Sequence, residues 1–183
     1  QQVERLVMVA SEGGISNFGA TIPQNILGSE VEKMLRASTS LNRKKLLKLL
    51  FTEQYSPVTA DFSAIAKSAS EKLIESQSLT NNSHAIILPE TGDSLQRLLD
   101  SLQQNQVTGF NVRLMGTASW DNPETLSLPA LNNAWYTALP FKDMNNFMTN
   151  FQESFGYRPP QLASLSYDAV LLIAELGREG LDD

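Results

Sequence analysis

Residues 85–116 read AIILPETGDSLQRLLDSLQQNQVTGFNVRLMG. Ala85-Ile86-Ile87-Leu88 is an uninterrupted apolar run closed by Pro89, the pattern of a strand covered on both faces. Leu95, Leu98, Leu99 and Leu102 then recur at helical spacing, with Asp93 placed to cap that helix. Gly109 breaks the helix, and Val112 to Gly116 forms a second apolar run. Strand, helix and strand in this order make a βαβ unit, which implies parallel pairing.

Working upstream, Leu46 to Phe51 reads as a strand that leaves through Tyr55-Ser56-Pro57. Asp61 then suits a helix N-cap, before Phe62, Ile65, Ala66, Ala69, Leu73 and Ile74 at three- and four-residue spacing. The polar stretch 76–83 reads as a loop. Nearer the start, the apolar run 6–10 reads as a strand entering the loop Ser11-Glu12-Gly13-Gly14. Ser16 is a possible cap, and Ala20 to Leu35 has a mostly helical spacing that Pro23 and Gly28 weaken. Downstream, 134–139 is a short fifth strand candidate, and two helices follow, over 143–155 and 161–177. The expected fold is α/β: an open, mostly parallel sheet with helices on both faces, plus two C-terminal helices. The expected division is a lobe over 1–140 and a helical segment over 141–183.

Composition narrows the function. The chain has 183 residues, 42% of them hydrophobic and 19% charged, which suits a globular domain with a real core. Its net charge is −6, and its only basic cluster is Arg43-Lys44-Lys45 with Lys48, so nucleic acid is not an expected partner. There is no cysteine, hence no disulfide, thiolate metal site or cysteine nucleophile. His84 is the only histidine, and no Gly-x-Ser-x-Gly elbow accompanies it. No catalytic residue, metal or cofactor is expected. The chain starts Gln1-Gln2 without Met, which reads as a processed or excised piece.

Two places suggest binding. The loop from Ser11 to Gly19 reads either as a ligand-facing turn or as plain turn chemistry. Ser119, Trp120 and Asp121 follow the fourth strand, where ligands of open α/β sheets sit. Trp120 there either walls a pocket or packs under its own loop.

The order and spacing of several segments resemble a known superfamily. They are Asn17-Phe18-Gly19, Tyr55 with Ala60 to Ser63, the strand 85–88, and Leu114 to Thr117. The tail adds Phe155-Gly156-Tyr157-Arg158-Pro159-Pro160 and Ser166 to Val170. Together they resemble the type I periplasmic binding proteins, in the branched-chain amino-acid-binding branch. Gly116 to Pro123, with Trp135, is more similar to the penicillin-binding protein activators of that fold.

The resemblance implies a two-lobed parent of which this chain matches the second lobe and the crossover. The C-terminal helices would then pack on the missing first lobe, fold back, or dock on a second chain as a homodimer. Ser11, Phe18, Glu90, Thr91, Ser119 and Trp120 are the implied ligand contacts. Amino-acid binders often place an acid where Ser119 stands, and Asp121 or Glu90 could take its place. The resemblance also implies a periplasmic parent, with a lipid anchor upstream as one option. Two functions compete: a non-catalytic solute-binding module for a small polar, amino-acid-like ligand, and an interaction module regulating a cell-wall synthase.

Overall fold

The computed structural model describes residues 2–41, 47–56, 58–77, 83–107, 111–138 and 141–157, together with 159 and 163. The chain divides into two units, 1–138 and 139–183.

The first unit runs α1 (Gln2–Glu12), β1 (Ile15–Pro23), α2 (Ile26–Leu41), β2 (Lys48–Tyr55), α3 (Phe62–Gln77) and β3 (Ser83–Ile87). It continues with α4 (Gly92–Gln104), β4 (Val112–Gly116), the short α5 (Pro123–Leu126) and β5 (Trp135–Tyr136). Five strands form one parallel sheet in the order β2-β1-β3-β4-β5. The α/β expectation holds, with an open parallel sheet carrying helices on both faces.

Side-chain alternation builds the two layers. In β3, Ala85 and Ile87 face a core made with Val3, Leu6, Val7, Val31 and Leu35 of α1 and α2. Ile86 and the following Leu88 face the opposite core, with Ala66, Ala69 and Leu73 of α3 and the four leucines of α4. That leucine stripe is fully buried, as its spacing predicts.

The N-terminal expectation is corrected. Residues 6–10 are not a strand but the middle of α1. Val3, Leu6, Val7 and Ala10 are buried at helical spacing, while Met8 and Val9, inside the apolar run, are 51% and 42% exposed. The first strand is instead Ile15–Pro23, where a loop and the start of a helix were expected. Its polar residues Asn17 and Thr21 are buried, so it shows no apolar run to the eye. Gly19 gives way to the Phe51 ring on β2, since a Cβ there would lie 2.4 Å from Phe51 Cζ.

The other elements need smaller changes. The strand expected at 46–51 is present as β2 from Lys48 and runs on to Tyr55, while residue 46 lies outside the described residues. Asp61 caps α3 by accepting a hydrogen bond from the Ala64 N–H at 3.1 Å. Asp93 does not cap α4; the N-cap is Thr91, and Asp93 lies in the first turn. The α3 helix runs on to Gln77, into the expected loop. The strand expected over 134–139 shrinks to Trp135–Tyr136.

In the second unit, α6 spans Phe141–Phe155. Phe151 there contacts the rings of Phe147 and Phe155, at centroid distances of 5.7 Å and 4.5 Å. The break at Gly109 and the helix expected over 161–177 lie outside the described residues, apart from 163.

Candidate functional site

Strand order reverses between β1 and β3: from β1 the chain moves to β2 on one side, and from β3 to β4 on the other. Ligands of open parallel sheets bind at such a switch point, beyond the carboxyl ends of the strands. Two turns wall this point, the one from Pro23 into α2 and the one from Leu88 into α4.

The first turn is held tightly. Gln24 N–H donates to the Tyr55 carbonyl at 2.8 Å, and Gly28 N–H donates to Asn25 Oδ1 at 2.9 Å. Only glycine fits position 28, because a Cβ would stand 1.9 Å from the Pro23 carbonyl oxygen. This turn displays Ile26, which is 86% exposed.

The second turn carries Glu90 and Thr91, and Glu90 is held at both ends. Its backbone carbonyl accepts the Trp120 Nε1–H at 2.8 Å. Its carboxylate Oε2 accepts the Tyr55 hydroxyl at 2.5 Å. Tyr55 closes β2, so this bond reaches from β2 across the end of β1 to the residue chain beyond β3. Burial, and then the hydrogen bond to Glu90 and its charge, push the Tyr55 phenol far above its ordinary value, so it stays a proton donor. Glu90 Oε1 has a long contact of 3.4 Å from the Thr91 N–H. A carboxylate oxygen holds two lone pairs, so Oε1 retains acceptor capacity. The Thr91 side chain makes no cap bond to its helix.

The fourth-strand loop completes the edge. Trp120 is 1% exposed and packs over Gly116, where a Cβ would lie 1.9 Å from the indole. Of its two expected roles the structure takes the second: it packs under its loop and supports Glu90. Ser119 is half-buried, its hydroxyl 2.7 Å from Thr117 Oγ1. Asp121 is exposed, 3.5 Å from the Tyr136 hydroxyl. The charged residues in the described loops leaving the carboxyl ends, and in the helix turns they open, are Asp61, Glu90, Asp93, Asp121 and Glu124. No Lys or Arg stands among those described residues.

Glu90, Thr91, Ser119 and Trp120 thus meet at one edge, as their positions after β3 and β4 predict. Ser11 and Phe18 do not join them. Ser11 lies buried in the last turn of α1, donating its hydroxyl to the Met8 carbonyl at 2.8 Å. Phe18 is fully buried in the core beneath α1 and α2. Both corrections follow from the shifted first strand, since a loop after 6–10 does not exist. Sequence reasoning missed Ile26 and the role of Tyr55. A strand ending at Pro23 would have placed Ile26 at the edge.

Among the described residues no group of three or more His, Asp or Glu side chains could hold a metal ion. No described helix is long and apolar enough to cross a membrane.

No family model matches the chain, and no curated protein does. Solved structures do. A Rhodospirillum rubrum protein, provisionally named a branched-chain amino acid ABC transporter, superposes with a TM-score of 0.71 at 16% identity, over 91% of this chain and 46% of its own. An ABC transporter solute-binding protein from Rhodopseudomonas palustris, in complex with 3,4-dihydroxybenzoic acid, gives 0.65 at 13% identity, over 95% and 47%. An ABC transporter substrate-binding protein from Desulfitobacterium hafniense, in complex with Leu, gives 0.62 at 16% identity, over 94% and 47%. The chain therefore spans just under half the length of these structures, and its fold is that of one lobe of a type I periplasmic binding protein.

Proposed function

We propose that this chain is a non-catalytic solute-binding lobe whose carboxyl edge receives the cationic amino group of a small, amino-acid-like ligand. The observation that carries this is Glu90, fixed at the switch point with acceptor capacity left on Oε1. Asp61, Glu90, Asp93, Asp121 and Glu124 stand along this edge against one described base nearby, Arg97 over the Phe62 ring, and this excess of acids favours a cation over a bare carboxylate. Ile26 and Val58, both strongly exposed at the same edge, suit an apolar side chain beside the amine. Asp121, Thr91 and Ser119 are further polar candidates there, whereas Trp120 acts from beneath. The solved structures of this fold include complexes with Leu and with an aromatic acid, and the acidic edge favours the former class. A periplasmic parent agrees with this reading. No feature of the structure favours a cell-wall synthase as partner, and we assign no catalytic step.

The test is amide shift mapping by NMR, with L-leucine and benzoate as separate probes. One lobe leaves the ligand partly wet, so leucine affinity is expected at about millimolar or weaker. Leucine should shift amides at 24–26, 90–93 and 117–121 (edge positions), and benzoate should not. Shifts centred elsewhere, or none at tens of millimolar leucine, would overturn the reading.

A further inference from the structure

We infer that Tyr55 is a positioning residue for the Glu90 carboxylate, and so sets the site's preference for an amine. The inference rests on the solute-binding reading above. Tyr55 itself is only 3% exposed and cannot be a main ligand contact. Its ring is buried and packed against a neighbouring ring. It stands edge-on to Phe62 at 5.1 Å, and the Arg97 guanidinium of α4 lies over that Phe62 ring at 5.2 Å. Its backbone carbonyl is bonded to Gln24, in the turn that displays Ile26. One residue thus connects the two walls of the switch point, its hydroxyl to Glu90 and its backbone carbonyl to Gln24.

A glutamate has three rotatable side-chain bonds, so an acid pinned only through its backbone would sample several positions. The Tyr55 bond selects one. It occupies Oε2 and leaves Oε1 as the oxygen available to an ammonium. A phenol that stays protonated donates to an ionised carboxylate without competing for its charge. A purely structural tie between β2 and the β3 loop would affect stability alone. A positioning bond must also affect selectivity between a charged ligand and its neutral analogue.

The experiment is a double-mutant cycle on the full chain, with Tyr55→Phe, Glu90→Gln and the pair. The probes are 3-methylbutylamine and 3-methylbutanol, which share a hydrocarbon body, followed through the 24–26 and 117–121 amides. Urea midpoints check that each variant is folded. Glu90→Gln should weaken the amine by about tenfold and leave the alcohol unchanged. Tyr55→Phe should weaken the amine by about threefold to tenfold, again sparing the alcohol. In the Glu90→Gln background the Tyr55 change should have no further effect on the amine.

The alternative outcomes separate the two ideas. If Glu90→Gln removes the amine preference but Tyr55→Phe leaves it whole, positioning by Tyr55 is wrong and the site stands. If Glu90→Gln changes nothing, or the wild type binds no amine at these residues, both are wrong. Equal losses for amine and alcohol in Tyr55→Phe would mark the bond as structural only, against the inference.

Discussion

The two edges of the sheet are built from different chemistry. At the carboxyl edge, Tyr55, Glu90 and Trp120 satisfy one another, and the second carboxylate oxygen of Glu90 has only a long contact from the Thr91 N–H. At the amino edge, His84, the second residue of β3, is fully buried, with Nδ1 lacking any partner and Nε2 at 3.4–3.5 Å from Ser76 and Asn17. Nearby Arg113 lies over the Trp135 ring at 5.0 Å and spends a guanidinium N–H on the Asn133 carbonyl. One edge has its polar groups paired with one another. The other has a buried ring nitrogen without a partner, which costs stability. A titratable residue is therefore a poor guide to function until its partners are known: the sole histidine is buried away from the carboxyl edge, and the groups proposed to act there are a tyrosine and a glutamate.

The largest effect should come from removing the support of the carboxyl edge. Trp120→Ala deletes a fully buried ring and the donor to Glu90, and should cost about 3–5 kcal/mol by urea unfolding. A loss under about 1 kcal/mol would show that the ring does not pack under its loop as described.

At the amino edge, the expected effect depends on pH. Burial holds the His84 imidazole below its ordinary value of 6.5, so the folded chain binds this proton less readily than the unfolded one. His84 therefore imposes no penalty above about pH 6.5 and an increasing one as pH falls below it. The slope should reach at most about 1.4 kcal/mol per pH unit, and His84→Gln should flatten it. Unfolding curves at a series of pH values check this. An unchanged slope in the variant would break the contrast between the edges.

Smaller effects should lie away from both clusters. Asp61→Ala leaves first-turn N–H groups of α3 without their cap and should cost about 0.5–2 kcal/mol in the urea midpoint. Arg36→Ala removes the exposed partner of Glu32, whose carboxyl is held below its ordinary range first by Arg36 and then by Gln54 and Thr52. That pair should be worth under about 1 kcal/mol, and less in high salt.

Much of this was legible in the sequence, for physical reasons that can be named. The 85–116 unit shows its strands as apolar runs because both faces of β3 and β4 are covered. The α4 stripe shows because every fourth residue or so points to one core. Glu90, Thr91 and Ser119 could be placed because they follow those strands directly. The first strand was illegible because Asn17, Gly19 and Thr21 interrupt its apolar pattern while remaining inside the sheet. Residues 6–10 misled because Met8 and Val9 are apolar yet exposed, turning a helical stripe into an apparent run. That single shift misplaced Ser11 and Phe18. The Tyr55–Glu90 bond joins residues 35 apart, a pairing set by strand order rather than by any local motif.

The central claim is that the carboxyl edge selects a positive charge. The most direct measurement compares 3-methylbutylamine with 3-methylbutanoate in NMR titrations of the wild-type chain at low salt and neutral pH. The two probes have the same branched hydrocarbon body and opposite charge. The account predicts saturable shifts at Glu90, Thr91 and the 24–26 turn with the amine and none with the acid. Binding of the acid in preference to the amine at those residues would contradict it.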